Sequence, residues 1–298
     1  VNRSREAYNR DSQELRSKLP NGTDPTNMTL RLERNGKTRA VLNWYALHPT
    51  SLTSKNTLIS SDNKGYAEYL LENQDHGIDR NVPGSGDGFV AAFANANTGD
   101  VSPNTWLKPG QGPTKDDHQN LKIQGQKQAD AVRAQLKSAG NPVGTGLDSR
   151  ISYFNFSGMN VDAKYTGTGR NERTCQGFLG TAFGAGSTED GGGGWDVYKE
   201  GSGRPSILGF LAFTPSSAQI SCQKPKGILF SAKNGTIIQE KFPVQIMRFG
   251  DYYLLGMPGE FTGAVGVQYR QDAAKLFGVP ESHIILQGYT NAYDHYVT

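Results

Sequence analysis

Apolar and polar positions alternate along MTLRLER (28–34), which predicts a half-buried strand. AVLNWYALH (40–48) reads as its partner, with Asn35-Gly36 as the turn between them. A helix is expected from Asp62 to Gln74. Asp62 or Asn63 would cap it, and Tyr66, Ala67, Tyr69, Leu70 and Leu71 would pack one side. A glycine-rich loop (83–88) leads into FVAAFANA (89–96), a small-residue strand that should be buried. A second helix spans about 116–138, with Leu121, Ala129, Val132 and Leu136 as its apolar stripe. Gly140-Asn141-Pro142 ends it. ISYFNFSG (151–158) is a strand, and a long glycine-rich stretch follows at 165–203. FPVQIMRFG (242–250) and DYYLLGMPG (251–259) read as a strand pair meeting at Gly250-Asp251. A helix over 261–278 ends at Gly278 and Pro280, and a buried strand begins at His283.

The fold class implied is α/β or α+β, a mixed multi-layer domain of strands and helices with long glycine-rich loops. No linker divides residues 1–298, so one domain is expected. Residues 1–26 are polar and are expected to wrap the surface. The chain opens on Val1 without a signal-peptide pattern and stops in the polar, aromatic NAYDHYVT. Both ends read as cuts through a larger chain.

Charge narrows the function. Thirty-one basic and 28 acidic residues leave a formal net charge of +3. That balance excludes a nucleic-acid binder working by phosphate neutralisation. The mean hydropathy is −0.58, and no run of 18 apolar residues exists, so no membrane span is expected. Cys175 and Cys222 are the only cysteines and lack C-x-x-C spacing. A disulfide or two buried thiols remain, the disulfide being favoured. Asn-x-Ser/Thr triplets occur at Asn2, Asn21, Asn27, Asn155 and Asn234. Together these lean towards a secreted, extracellular or cell-surface protein.

Four segments place polar residues where an apolar strand ends. In WYALHPTS, His48 leaves a strand that Pro49 terminates, a position suited to a metal ligand or general base. A histidine satisfied by backbone bonds is the plainer reading. NTGDVSPN (97–104) offers Asp100 and Ser102 in a tight loop, either reactive or an Asx-type turn. It is not G-x-S-x-G. In MPGEFT (257–262), Glu260 opens a helix, as a cap or as a metal carboxylate. In NAYDHYVT, His295 is the tempting ligand, and neighbouring His295 and Tyr296 cannot both face one site in extended chain. The residues alone point to a possible hydrolase with one metal.

Taken together, these segments resemble the neutral ceramidase family, zinc-dependent amidases that cleave the N-acyl bond of ceramide. The matching residues are NRS (2–4), NWYALHPTS (43–51), SDNKGYA (61–67), FVAAFANANTGDVSPN (89–104), MPGEFT (257–262) and NAYDHYVT (291–298). They follow the family's order over nearly the whole chain.

The resemblance implies one zinc ion, Zn2+, with His48, Glu260 and Tyr296 among its ligands. It favours Tyr296 over both Tyr293 and His295. It makes Ser102 essential beside the zinc and brings Arg3 to the active site, to hold the sphingosine end or the polar headgroup. Asp100 would fix the loop. The family's first zinc histidine lies in an upstream H-x-H motif that this sequence lacks, so a further histidine is expected from outside the chain. The family's C-terminal immunoglobulin-like domain is absent as well. Ceramide at a membrane surface is the implied partner, with no nucleic acid. Attack would come from zinc-activated water, with Ser102 as its hydrogen-bonding partner or as the nucleophile itself. The glycine-rich stretch 181–194 would form the pocket rim. Two other classes compete: a catalytically incomplete lipid- or glycan-binding fragment, and a metal-independent serine hydrolase using Ser102.

Overall fold

The computed structural model describes residues 1–181, 183, 186, 187, 189, 216–224, 226–231 and 238–298. Its first sheet contains β1 (Asn27–Arg34), β2 (Lys37–Tyr45) and β3 (Val90–Asn95) in that spatial order. β1 and β2 are antiparallel, and β2 and β3 are parallel. Asn35 (φ 54°) and Gly36 (φ 70°) both take the left-handed region, as a mirror-image hairpin turn requires. β2 stops at Tyr45, three residues earlier than expected, and His48 stands on the loop beyond it.

The second sheet holds β4 (Leu147–Asn155), β5 (Lys241–Phe249), β6 (Tyr252–Gly256) and, beyond the short strand β7 (Glu260–Phe261), β8 (Ile284–Gln287). Its order is β8-β6-β5-β4, with only the β6–β8 pair parallel. β4 begins four residues before the expected strand and ends three before its limit. A last short strand, β9 (Tyr296–Val297), pairs in parallel with β7.

Each parallel pair is joined through a helix. α1 (Asp62–Tyr69), continued by a wider turn over Leu70–Asp75, lies between β2 and β3. α2 (Asp117–Leu136) packs on α1, and α3 (Gly263–Phe277) lies between β6 and β8. Side chains one residue apart on a strand face opposite ways, and the core follows that period. Val41, Ala91 and Phe93 meet Ala67, Leu70, Leu71, Ala129 and Val132 of the helical layer. Trp44 meets Leu254 and Ile285 between the sheets. Leu255, Ile284 and Leu286 meet Ala273 and Ala274 of α3. The layers therefore run helix, sheet, sheet, helix, a mixed multi-layer α/β architecture.

Several elements depart from expectation. The N-cap residue of α1 is Ser61, and Asp62 (φ 52°) instead accepts the backbone N–H groups of Ser51 and Leu52. Tyr69 is exposed rather than packed. α2 buries a polar row, Asn120, Gln124 and Gln128, beside the apolar one. Gln124 donates to the Pro103 carbonyl and Gln128 to Asn63 Oδ1. The first 26 residues do not simply wrap the surface, because Asn2, Arg3, Leu19, Gly22 and Asp24 are buried. Cys175 and Cys222 form a disulfide that ties the chain to the helix Ser217–Gln223. The four glycines at 191–194, within the supposed pocket rim, lie outside the described residues.

Candidate active site at the carboxyl ends of four strands

The carboxyl ends of β2, β3, β6 and β8 meet at one edge of the sandwich. The Trp44 indole donates to Gln287 Oε1 (2.9 Å), and the Gly288 N–H donates to the Asn95 carbonyl (3.1 Å). Loops leaving such ends are where α/β folds gather ligand-binding groups.

His48 is buried on the loop after β2. Its Nδ1 lies 2.9 Å from the Val101 carbonyl oxygen, which only accepts. Nδ1 therefore carries the proton and Nε2 points inward. Nε2 lies 2.8 Å from Glu260 Oε2, 3.2 Å from the Tyr289 hydroxyl and 3.3 Å from Arg3 Nη2. Burial pushes the Glu260 carboxyl up, but His48, Tyr293 and Tyr296 outweigh it and bring it down to about 2. Glu260 is thus ionised. A carboxylate oxygen facing an imidazole lone pair needs positive charge between them, either a proton or a metal ion.

Tyr296 stands opposite Glu260 in the β7–β9 pair. Its hydroxyl accepts from Arg3 Nη2 at 2.7 Å and also reaches Glu260. Burial and the Glu260 charge push Tyr296 up to about 12, against the pull of Arg3. Arg3 is buried and also donates to the Gly99 carbonyl. Its guanidinium braces Tyr296. His48 Nε2, Glu260 Oε2 and the Tyr296 oxygen are nitrogen and oxygen donors of the kind zinc accepts. Among the described residues no cluster of three or more His, Cys, Asp and Glu exists, so the tyrosine would complete a set of three.

Ser102 is fully buried. Its hydroxyl accepts the Asn104 backbone N–H (2.9 Å), and its place is one residue beyond the carbonyl that holds His48. The chain at 100–102 pairs with residues 1–3 through Arg3 N–H to Asp100 O and Ser102 N–H to Val1 O, both 2.8 Å. Asp100 accepts from Asn2 Nδ2 and from the Gly263 N–H, each at 2.8 Å. Asp100, rather than Glu260, thus satisfies the amino end of α3. A Cβ on Gly99 would meet the Phe261 backbone at 2.9 Å, so any larger residue would push the loop away from β7.

His295 is directed elsewhere: its ring contacts Tyr293 (5.0 Å between centroids) and Phe183 (6.5 Å). Two site residues escaped the sequence reading as participants. Tyr293 donates to Glu260 Oε1, and Tyr289 reaches His48 and Thr98. The visible signal was the run of three tyrosines at 289, 293 and 296 after a buried strand. Tyr289 (φ 56°), Asn291 (φ 61°) and His295 (φ 65°) all occupy the left-handed region. Each such residue costs about 1–3 kcal/mol, strain that persists where the surroundings impose it.

The fold and this cluster define an α/β sandwich with a donor set suited to one cation at its strand ends. A family model described as neutral/alkaline non-lysosomal ceramidase, N-terminal, matches residues 1–298, and the chain belongs to that family. The chain is 35% identical, over all of its length, to the neutral ceramidase of Mycobacterium tuberculosis, covering 47% of that protein. It is 36% identical, over 93% of its length, to the neutral ceramidase of Pseudomonas aeruginosa, covering 41% of that protein. A solved structure of a ceramidase complexed with C2 superposes with a TM-score of 0.80 at 35% identity, over all of this chain and 45% of the other. The chain therefore spans less than half the length of these relatives.

Proposed function

We propose that the intact protein containing this chain is a zinc-dependent ceramidase. It hydrolyses the N-acyl amide bond of ceramide to sphingosine and a fatty acid. Membership of the ceramidase family supports the substrate class. The observation that carries the chemistry is the inward-facing set of His48 Nε2, Glu260 Oε2 and the Tyr296 hydroxyl.

Zinc, when bound, supplies Lewis-acid polarisation of the carbonyl and a nucleophile active near neutral pH. The chain's own residues prepare its place. The Val101 carbonyl fixes the His48 tautomer and leaves the Nε2 lone pair facing inward. Glu260 contributes negative charge, and Arg3 holds the Tyr296 hydroxyl in place. A further histidine from outside residues 1–298 completes the set. Ser102 stabilises the reacting oxygen by hydrogen bonding or attacks the amide itself. The disulfide and the exposed sequons at Asn21 and Asn155 support a secreted or cell-surface location, whereas the Asn2 sequon is fully buried. Among the described residues no helix is long and apolar enough to cross a membrane. Ceramide at a membrane surface is the proposed partner.

The test is ceramide hydrolysis by the intact protein, with and without a chelator, alongside Ser102→Ala. The reading expects activity to vanish on chelation and return with zinc. Activity that survives chelation but not Ser102→Ala would instead identify a metal-independent serine hydrolase. Lipid binding without turnover would identify an incomplete binding protein.

A further inference from the structure

Two tyrosines outside the proposed ligand set touch two of its members. Both lie on the loop after β8. The rings of Tyr289 and Tyr293 stack, with centroids 6.2 Å apart and planes 10° from parallel. Both hydroxyls reach Glu260, and the Tyr289 hydroxyl reaches His48 as well. Tyr293 donates to Glu260 Oε1 at 2.5 Å. The Tyr289 hydroxyl lies 3.2 Å from His48 Nε2 and 3.2 Å from Thr98 Oγ1.

The choice of target atom decides what each hydroxyl does. Oε2 of Glu260, not Oε1, faces His48. A metal shared by His48 and Glu260 would use Nε2 and Oε2. Tyr293 therefore engages the carboxylate oxygen that such a metal would leave over. A donor there fixes the carboxylate plane, as outer hydrogen bonds commonly do for metal ligands. Tyr289 sits instead, with Arg3 Nη2 at 3.3 Å, at the Nε2 lone pair that a metal would need. Nδ1 of His48 is already committed to Val101, so Nε2 is the only acceptor on the ring. Thr98 offers the Tyr289 hydroxyl an alternative partner once that lone pair is taken.

Resting on the zinc reading above, we infer that the stacked pair acts in opposite senses on metal binding. Tyr293 is a positioning residue that holds Glu260 ready for the metal, whereas Tyr289 competes with the metal for His48. Nothing in the pairing of the rings alone produces this asymmetry; it comes from where the two hydroxyls end.

Tyr293→Phe and Tyr289→Phe each delete one hydroxyl and keep the stack. Tyr293 is 44% exposed, so its fold should survive, which the melting temperature checks. Zinc affinity of the intact protein is measured by competition with a chromophoric chelator, and the visible spectrum is recorded after cobalt substitution. Tyr293→Phe should weaken zinc binding about 10–100-fold and alter the cobalt spectrum. Tyr289→Phe should bind zinc at least as tightly as the parent. An unchanged affinity and spectrum in Tyr293→Phe overturns the inference. So does a loss in Tyr289→Phe as large as that in Tyr293→Phe. Failure of the parent itself to bind zinc or cobalt would refute the zinc reading, an outcome separate from either.

Discussion

At one end of the sandwich, β1–β2 and β5–β6 close through two-residue turns, and partners such as Arg34 and Lys37 are neighbours in sequence. At the other end, His48 meets Glu260 across 212 residues, Arg3 meets Tyr296 across 293, and Asn2 meets Asp100 across 98. The hairpin end is shaped by local backbone chemistry. The site end is shaped by buried polar groups whose partners arrive from distant elements. Damage at the first end should stay local, whereas damage at the second should cost stability and chemistry together.

The comparison is tested most severely at Asp24. This buried carboxylate pairs with Arg270 of α3 and accepts from Asn97 Nδ2, joining the amino-terminal segment to the loop after β3. Asp24→Ala strands a buried guanidinium and should cost about 3–5 kcal/mol in chemical denaturation of the intact protein. Burial alone would raise the Asp24 carboxyl, but Arg270, Thr26 and Asn97 hold it below the usual range. Its contribution is therefore present above the unfolded value of about 3.9 and is lost as pH falls through the lower folded value. The mutant should lack that acid-side loss.

Gly99→Ala comes next. The added methyl meets backbone atoms of Phe261 and Glu260 that cannot rotate away, at 2.9–3.0 Å. A loss of about 1–3 kcal/mol is expected, with weakened metal binding because β7 carries Glu260. Unchanged metal affinity would show that the two functions of the site end can be separated.

Lys64 gives a pH-dependent effect. Its ammonium lies buried beneath the strand ends and donates to the carbonyls of Tyr45 and Ala94 and to Gln128. Burial pushes it down to about 7, with Glu68 opposing. An unfolded lysine titrates near pH 10.4, roughly. Between these values the unfolded chain binds more protons, so stability rises with pH there and is lost as pH falls through the folded value. Lys64→Met should flatten that rise.

Gly36→Ala should do least. A Cβ there meets nothing within 4 Å, so only the positive φ opposes it. About 1 kcal/mol is expected, with zinc affinity unchanged. A larger loss would erase the distinction between the two ends.

The same distinction explains what the sequence allowed. Alternation in MTLRLER and the Asn35-Gly36 pair announced the hairpin because both signals are local. Ala129 and Val132 revealed the buried side of α2, but Asn120, Gln124 and Gln128 resembled a solvated face. Their burial depends on loop carbonyls and a side chain supplied from elsewhere in the chain. The polar residues around Asn2, Arg3 and Asp24 misled for the same reason. His48 and Glu260 stood out as strand-end residues, yet their contact is non-local, and only the family resemblance joined them with Tyr296 beforehand. The turn that sends His295 towards Tyr293 and Phe183 reflects a positive φ at a non-glycine residue, which composition does not disclose.

Zinc content of the intact protein and of its His48→Ala and Glu260→Ala variants tests the account most directly. It should be measured by elemental analysis on folded samples and compared with ceramide hydrolysis. One zinc per parent chain, lost together with activity in both variants, is the predicted result. Zinc retained at full occupancy in either variant, or undiminished hydrolysis without it, would contradict the assignment of the strand-end cluster as the metal site.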